Sequence, residues 1–160
     1  MNKHTIQCIR SFTAIFWLGL FMAISFLEAP LKFTAPGLSL AEGLQIGKIV
    51  FGALNKCEWA LLLIIGVTCL FKGPSKKETN LILLLCVITL LESVWLLPML
   101  DAGASRVING QPAGEHTEHW VFIVFEVIKI PVLLLIGLEI NSGRKITKLQ
   151  TSAAYNNIKL

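Results

Sequence analysis

Apolar residues in this chain gather into four runs, Phe12 to Leu31, Ile49 to Phe71, Leu81 to Leu100 and Trp120 to Ile140, separated by polar or turn-forming segments. Each run has about the 20 residues that an α-helix needs to cross the hydrocarbon of a bilayer. The pattern predicts an all-α fold, a four-helix transmembrane bundle, with residues 1–160 forming one integral membrane domain.

Local signals set the expected boundaries. Helix 1 is expected from about Ser11 to Pro30, where proline and the segment Lys32 to Pro36 stop it. Ser39-Leu-Ala-Glu42 reads as a capping box, so helix 2 starts near Leu40, ahead of its oily part. A helix from Leu40 to Phe71 is about 48 Å long, more than a bilayer core requires. Gln45, Lys48, Gly52, Asn55 and Trp59 recur at spacings of three and four and share one of its faces. Lys72 to Asn80 is a basic turn, and helix 3 is expected to end near Leu100, loosened by Pro98. Asp101 to Glu118, with Gly103, Gly110, Pro112 and Gly114, is read as an irregular loop over the mouth of the bundle.

Composition agrees with this class: 54% of the residues are hydrophobic. The net charge of +4 is distributed as a membrane protein distributes it. Lys3, Arg10, Lys72, Lys76, Lys77, Arg144, Lys145, Lys148 and Lys159 fall in the termini and the middle loop, whereas the other two loops hold Lys32 and Arg106. That asymmetry predicts cytoplasmic termini and two external loops, as in a protein of the cytoplasmic (inner) membrane, and it leaves no basic patch for nucleic acid. The first run follows two basic residues, as a signal peptide would. Its length, and the lack of a small-x-small site near Glu28-Ala-Pro30, favour a retained span. Cys8, Cys57, Cys69 and Cys86 show no C-x-x-C spacing and are read as inert thiols.

Against this apolar background the acids carry the candidate chemistry. Glu58, Glu92 and Glu126 lie 13, 11 and 14 residues from Phe71, Leu81 and Ile140, the ends of their runs on one membrane face. At the helical rise this is a common depth of roughly 17 to 21 Å. Glu28 lies one to two turns higher and is expected to reach down toward them. On helix 4, His119, Glu126 and Lys129 share a face, and His116 and His119 form an H-x-x-H pair at its start. Acids gathered in low dielectric repel one another by about 4 kcal/mol per pair at an effective dielectric of 20. They therefore need shared protons, an internal cation such as Lys129, or a bound metal.

One carboxylate per helix is how bundles hold paired iron or manganese ions. The preferred expectation is thus a divalent or redox metal bound by Glu28, Glu58, Glu92 and Glu126 with His116 and His119, supported by Asn55. Trp59 and Trp95 are read first as packing residues and otherwise as walls of an oily pocket, in which a redox metal would imply oxidation of a small hydrophobic substrate. Three residues after Glu58 and Glu92, however, stand Leu61 and Trp95 rather than histidines. No catalytic residue and no organic cofactor site is assigned. Two further readings stay open. One is a proton-coupled carrier or channel subunit using the same acids, which as a four-helix unit implies a homo-oligomer. The other is a structural or assembly protein in which Lys129 pairs with Glu126, and Glu58 with Lys56 or Lys48.

Glu28-Ala-Pro-Leu-Lys-Phe-Thr-Ala-Pro36, followed by Ile46-Gly-Lys-Ile-Val-Phe-Gly-Ala-Leu-Asn55, resembles a segment of small bacterial four-span integral membrane proteins of unknown reaction. The resemblance covers about half the chain and implies the four-span fold. A broader similarity to anthrone-oxygenase-like four-span proteins implies oxidation of a hydrophobic aromatic substrate, with no motif that carries residue roles across.

Overall fold

The computed structural model describes residues 2–112 and 117–138, with the side chains of 117–119 left out of that description. Four helices account for most of it: α1 Lys3–Lys32, α2 Leu40–Phe71, α3 Lys76–Ile108 and α4 Thr117–Leu138. Each contains a stretch long and apolar enough to cross a membrane. The chain therefore has the build of an integral membrane protein. Its large apolar side chains also face outward, with Leu70 84%, Ile49 73% and Phe12 72% exposed, a surface that lipid can cover and water cannot.

Capping chemistry starts the helices. The Asn2 side chain accepts from the His4 N–H and opens α1. Ser39 and Glu42 form the expected capping box on α2, and Ser75 with Glu78 forms a second one on α3. The S-x-x-E pattern at 75–78 was legible in the sequence and is the sharper boundary signal for α3.

Two helices are longer than the sequence predicts. Pro30 does not end α1, which continues to Lys32, and Pro98 and Gly103 do not end α3, which continues to Ile108. The region read as an irregular loop from Asp101 is thus helical for its first two turns. In both places a π-helical segment sits just before the proline, Ala23–Glu28 ahead of Pro30 and Glu92–Leu96 ahead of Pro98. A proline ring lacks an N–H and collides with the carbonyl four residues back. The wider π turn spreads those four residues apart and lets the helix pass through.

The helices form a square. α1 packs against α2 and α4, and α3 packs against the same two. The core along the axis contains Trp17, Phe21, Leu54, Ile65, Leu85, Leu133 and Ile136. Gly137 of α4 allows close approach to α1, since a Cβ there would run into the Ile15 side chain.

At the end holding the N-terminus and residues 72–75, a polar clasp ties three helices together. Arg10 is fully buried, and its guanidinium donates to Thr68 Oγ1 (3.0 Å), to the carbonyls of Thr68 (3.3 Å) and Lys72 (2.7 Å), and to Glu78 Oε1 (3.2 Å). Gln7 joins it, donating to Glu78 and accepting from Lys72 Nζ. The clasp gives the Lys72 carbonyl, just past the end of α2, a donor that the helix cannot supply, and adds a second donor to the Thr68 carbonyl, which already accepts from the Lys72 N–H.

Candidate functional site

Glu58 of α2, Glu92 of α3 and Glu126 and Lys129 of α4 meet near the axis of the square, where each is at most 2% exposed. Their spacing makes this possible. Glu126 and Lys129 are one turn apart on α4, and the similar depths of Glu58 and Glu92 bring their carboxylates to that level. Lys129 Nζ donates to Glu58 Oε1 at 2.8 Å and to Glu92 Oε2 at 2.9 Å, and it lies 2.8 Å from Glu126 Oε1. An ammonium carries three N–H bonds, and here it faces three carboxylates.

Two aromatic residues complete the surroundings of this ammonium. Trp17 of α1, itself fully buried, donates its indole N–H to Glu58 Oε1 at 2.9 Å. The Phe21 ring centroid lies 5.3 Å from Lys129 Nζ, within cation–π range. All four helices thus contribute, and α1 does so through aromatic rings rather than through an acid.

The charge balance is uneven. Three carboxylates face one ammonium, and Glu92 Oε1 and Glu126 Oε2 are buried without a hydrogen-bond partner. Low dielectric penalises uncompensated charge severely, so further positive charge or shared protons must offset the excess. One carboxylate oxygen from each of the three acids lies within 4.8 Å of the others, close enough to hold a metal ion.

Other residues singled out in the sequence lie elsewhere. Glu28 does not reach the layer; it pairs with Lys32 at 3.4 Å on its own helix and is a third exposed, because the acid lies too far along α1. Asn55 and Trp59 belong to a separate bridge between α2 and α3. Trp59 Nε1 donates to Ser93 Oγ at 2.7 Å, and Ser93 donates to Asn55 Oδ1 at 3.0 Å. Trp95 faces outward, 48% exposed. His116 and the side chain of His119 lie outside the described residues. Lys48 donates to Ser105 Oγ and Lys56 is exposed, so neither is the partner of Glu58.

Above the layer, on the side away from the clasp, lies a cavity of about 470 Å³. All four helices line it: Ser25 and Phe26 of α1, Gly47 and Phe51 of α2, Leu97 and Ala104 of α3, and Phe122 and Glu126 of α4 are among the contributors. Neither Trp59 nor Trp95 is part of its wall, which corrects the expectation of a pocket lined by those indoles. Phe51 and Phe122 meet edge to face there, centroids 5.3 Å apart. Glu126 therefore belongs both to the acid layer and to the cavity.

No protein-family model, curated protein or solved structure matches the chain. Function has to be read from the chemistry of the layer and the cavity.

Sequence reasoning missed Trp17, Phe21 and Arg10. Trp17 stands among apolar residues with nothing to mark its N–H as a donor to an acid on another helix. Arg10 was counted among the N-terminal charges, although its place one residue ahead of the expected start of helix 1 was a signal that it could need partners.

Proposed function

We propose that this is a proton-coupled carrier or channel subunit of the bacterial cytoplasmic membrane, in which the acid layer is the cation site. The observation that supports it is the Lys129 ammonium held 2.8 to 2.9 Å from three carboxylates of three helices. A fixed internal cation makes the acids tolerable in the membrane while leaving them short of full compensation. Protons shared among Glu58, Glu92 and Glu126 supply the remainder and exchange through Glu126, the acid that borders the cavity. With the termini cytoplasmic, as the basic residues predict, the cavity opens to the outer face.

The test is flux. In liposomes with an entrapped pH dye and an inside-negative potential, the wild type is expected to admit protons. Glu126→Gln is expected to do so at least about tenfold more slowly. Equal rates in the two proteins overturn the reading.

A second reading, metal binding with oxidation of a small hydrophobic molecule, is supported by the mutual closeness of the three carboxylates. Lys129 and a divalent iron or manganese ion compete for the same oxygens, so this reading requires the lysine to leave the layer or give up its proton. Elemental analysis after anaerobic loading decides it. Stoichiometric metal in the wild type, lost in Glu92→Gln, favours the metal over the proton.

A further inference from the structure

The cavity above the layer has the features of a ligand site. Its volume of about 470 Å³ falls within the roughly 300–1,000 Å³ of small-molecule pockets. Most of its wall is apolar, from Phe26, Phe51, Leu97 and Phe122. Its polar groups include two that lack partners, the Ser25 hydroxyl and Glu126 Oε2, and Glu126 is only 2% exposed. Ser25 lies beside the Glu126 carboxyl, yet the two fall outside hydrogen-bond geometry. A buried carboxylate oxygen without a donor, facing an apolar cavity, is complementary to a ligand that brings one.

The sign of the ligand follows from the charges around the cavity. Among the described residues, Lys32 and Lys48 line it, but both are engaged. Lys32 pairs with Glu28, and its ammonium lies 5.3 Å from the Phe51 ring centroid, while Lys48 donates to Ser105. Two acids also line it, Asp101 and Glu126. The wall is even in formal charge, but Lys32 is already compensated by Glu28, whereas Glu126 shares a single ammonium with Glu58 and Glu92. That excess of acid beside Glu126 favours a cation over an anion there.

We infer that the cavity binds a small lipophilic amine, whose ammonium donates to Glu126 Oε2 and Ser25 Oγ while its apolar body lies against Phe26, Phe51, Leu97 and Phe122. This names the substrate class of the cation site and rests on the carrier reading of the layer. The amine supplies the positive charge that the three carboxylates lack. It also gives Glu126 the donor that Lys129, already facing Oε1, does not provide to Oε2.

The test uses three probes of one shape: para-fluorobenzylamine, para-fluorobenzyl alcohol and para-fluorobenzoate. Each is titrated by fluorine NMR against the full chain in lipid nanodiscs, with empty nanodiscs as the blank. The amine is expected to bind at least about tenfold more tightly than the alcohol, and the benzoate more weakly than both. Glu126→Gln is expected to bring the amine to the level of the alcohol. Because Glu126 also supports the fold, Ala104→Phe provides an independent check: it fills the cavity without touching the layer and is expected to weaken all three probes. Equal affinity for amine and alcohol, preference for the benzoate, or indifference to Ala104→Phe each overturns the inference. Amine binding without proton flux in liposomes keeps the ligand and removes the proton coupling. Proton flux without amine binding does the reverse.

Discussion

Lys129 is the side chain on which the interior depends. It is fully buried, and three carboxylates rely on it for compensation. Removing one partner of a buried ion pair leaves charge stranded and typically costs about 3–5 kcal/mol. Lys129→Met is therefore expected to lower the thermal midpoint in detergent sharply, and Lys129→Met with Glu58→Gln to recover part of the loss, because fewer acids then stand uncompensated. No recovery in the double variant would mean that packing, not charge, sets the cost. Trp17→Phe keeps an aromatic ring, removes the donor to Glu58 and leaves a void where the rest of the fully buried indole stood. A hydrogen bond to a charged group is worth about 1.5–3 kcal/mol, so a destabilisation of at least that size is expected in the same melt. The sequence marked Lys129 as a cation that could offset the acids, because it lies one turn from Glu126. It could not show that one ammonium serves acids on two other helices as well, since that requires the axis of the square to run through it.

Prolines and caps decide how the helices run. Pro30 reads as a terminator and Pro98 as loosening the end of its helix, yet each lies within a continuous helix and is preceded by a π segment. A single sequence favours a break or a kink because the missing N–H and the ring clash weaken an α-helix. Packing against neighbouring helices makes the π turn affordable. Glu92 begins one of these segments, so the local widening helps set its orientation. Close contact between α1 and α4 depends on Gly137. Gly137→Ala is expected to be tolerated once the half-exposed Ile15 side chain rotates away. Gly137→Leu is expected to force the two helices apart, shown by a lower melting midpoint for leucine than for alanine. If both behave alike, the helices are not in close contact there.

The four helices form a square with polar matter at two levels: the Arg10–Glu78 clasp near one end and the acid layer farther in, with the cavity beyond it. Each level links opposite corners, α1 to α3 in the clasp and α2 to α4 in the layer. Where lipid competes for apolar contact, such polar links specify the arrangement more than greasy packing does. From the apolar runs alone one can read the number of helices, their approximate positions and the acids they carry, because bilayer thickness dictates length and burying charge is too costly to be incidental. The partner of each acid, the exclusion of Glu28, the recruitment of Trp17 and the existence of a cavity were not legible. These depend on how four helices rotate and tilt against one another, and a periodic pattern in one helix constrains its own faces but not the identity of the residues opposite them.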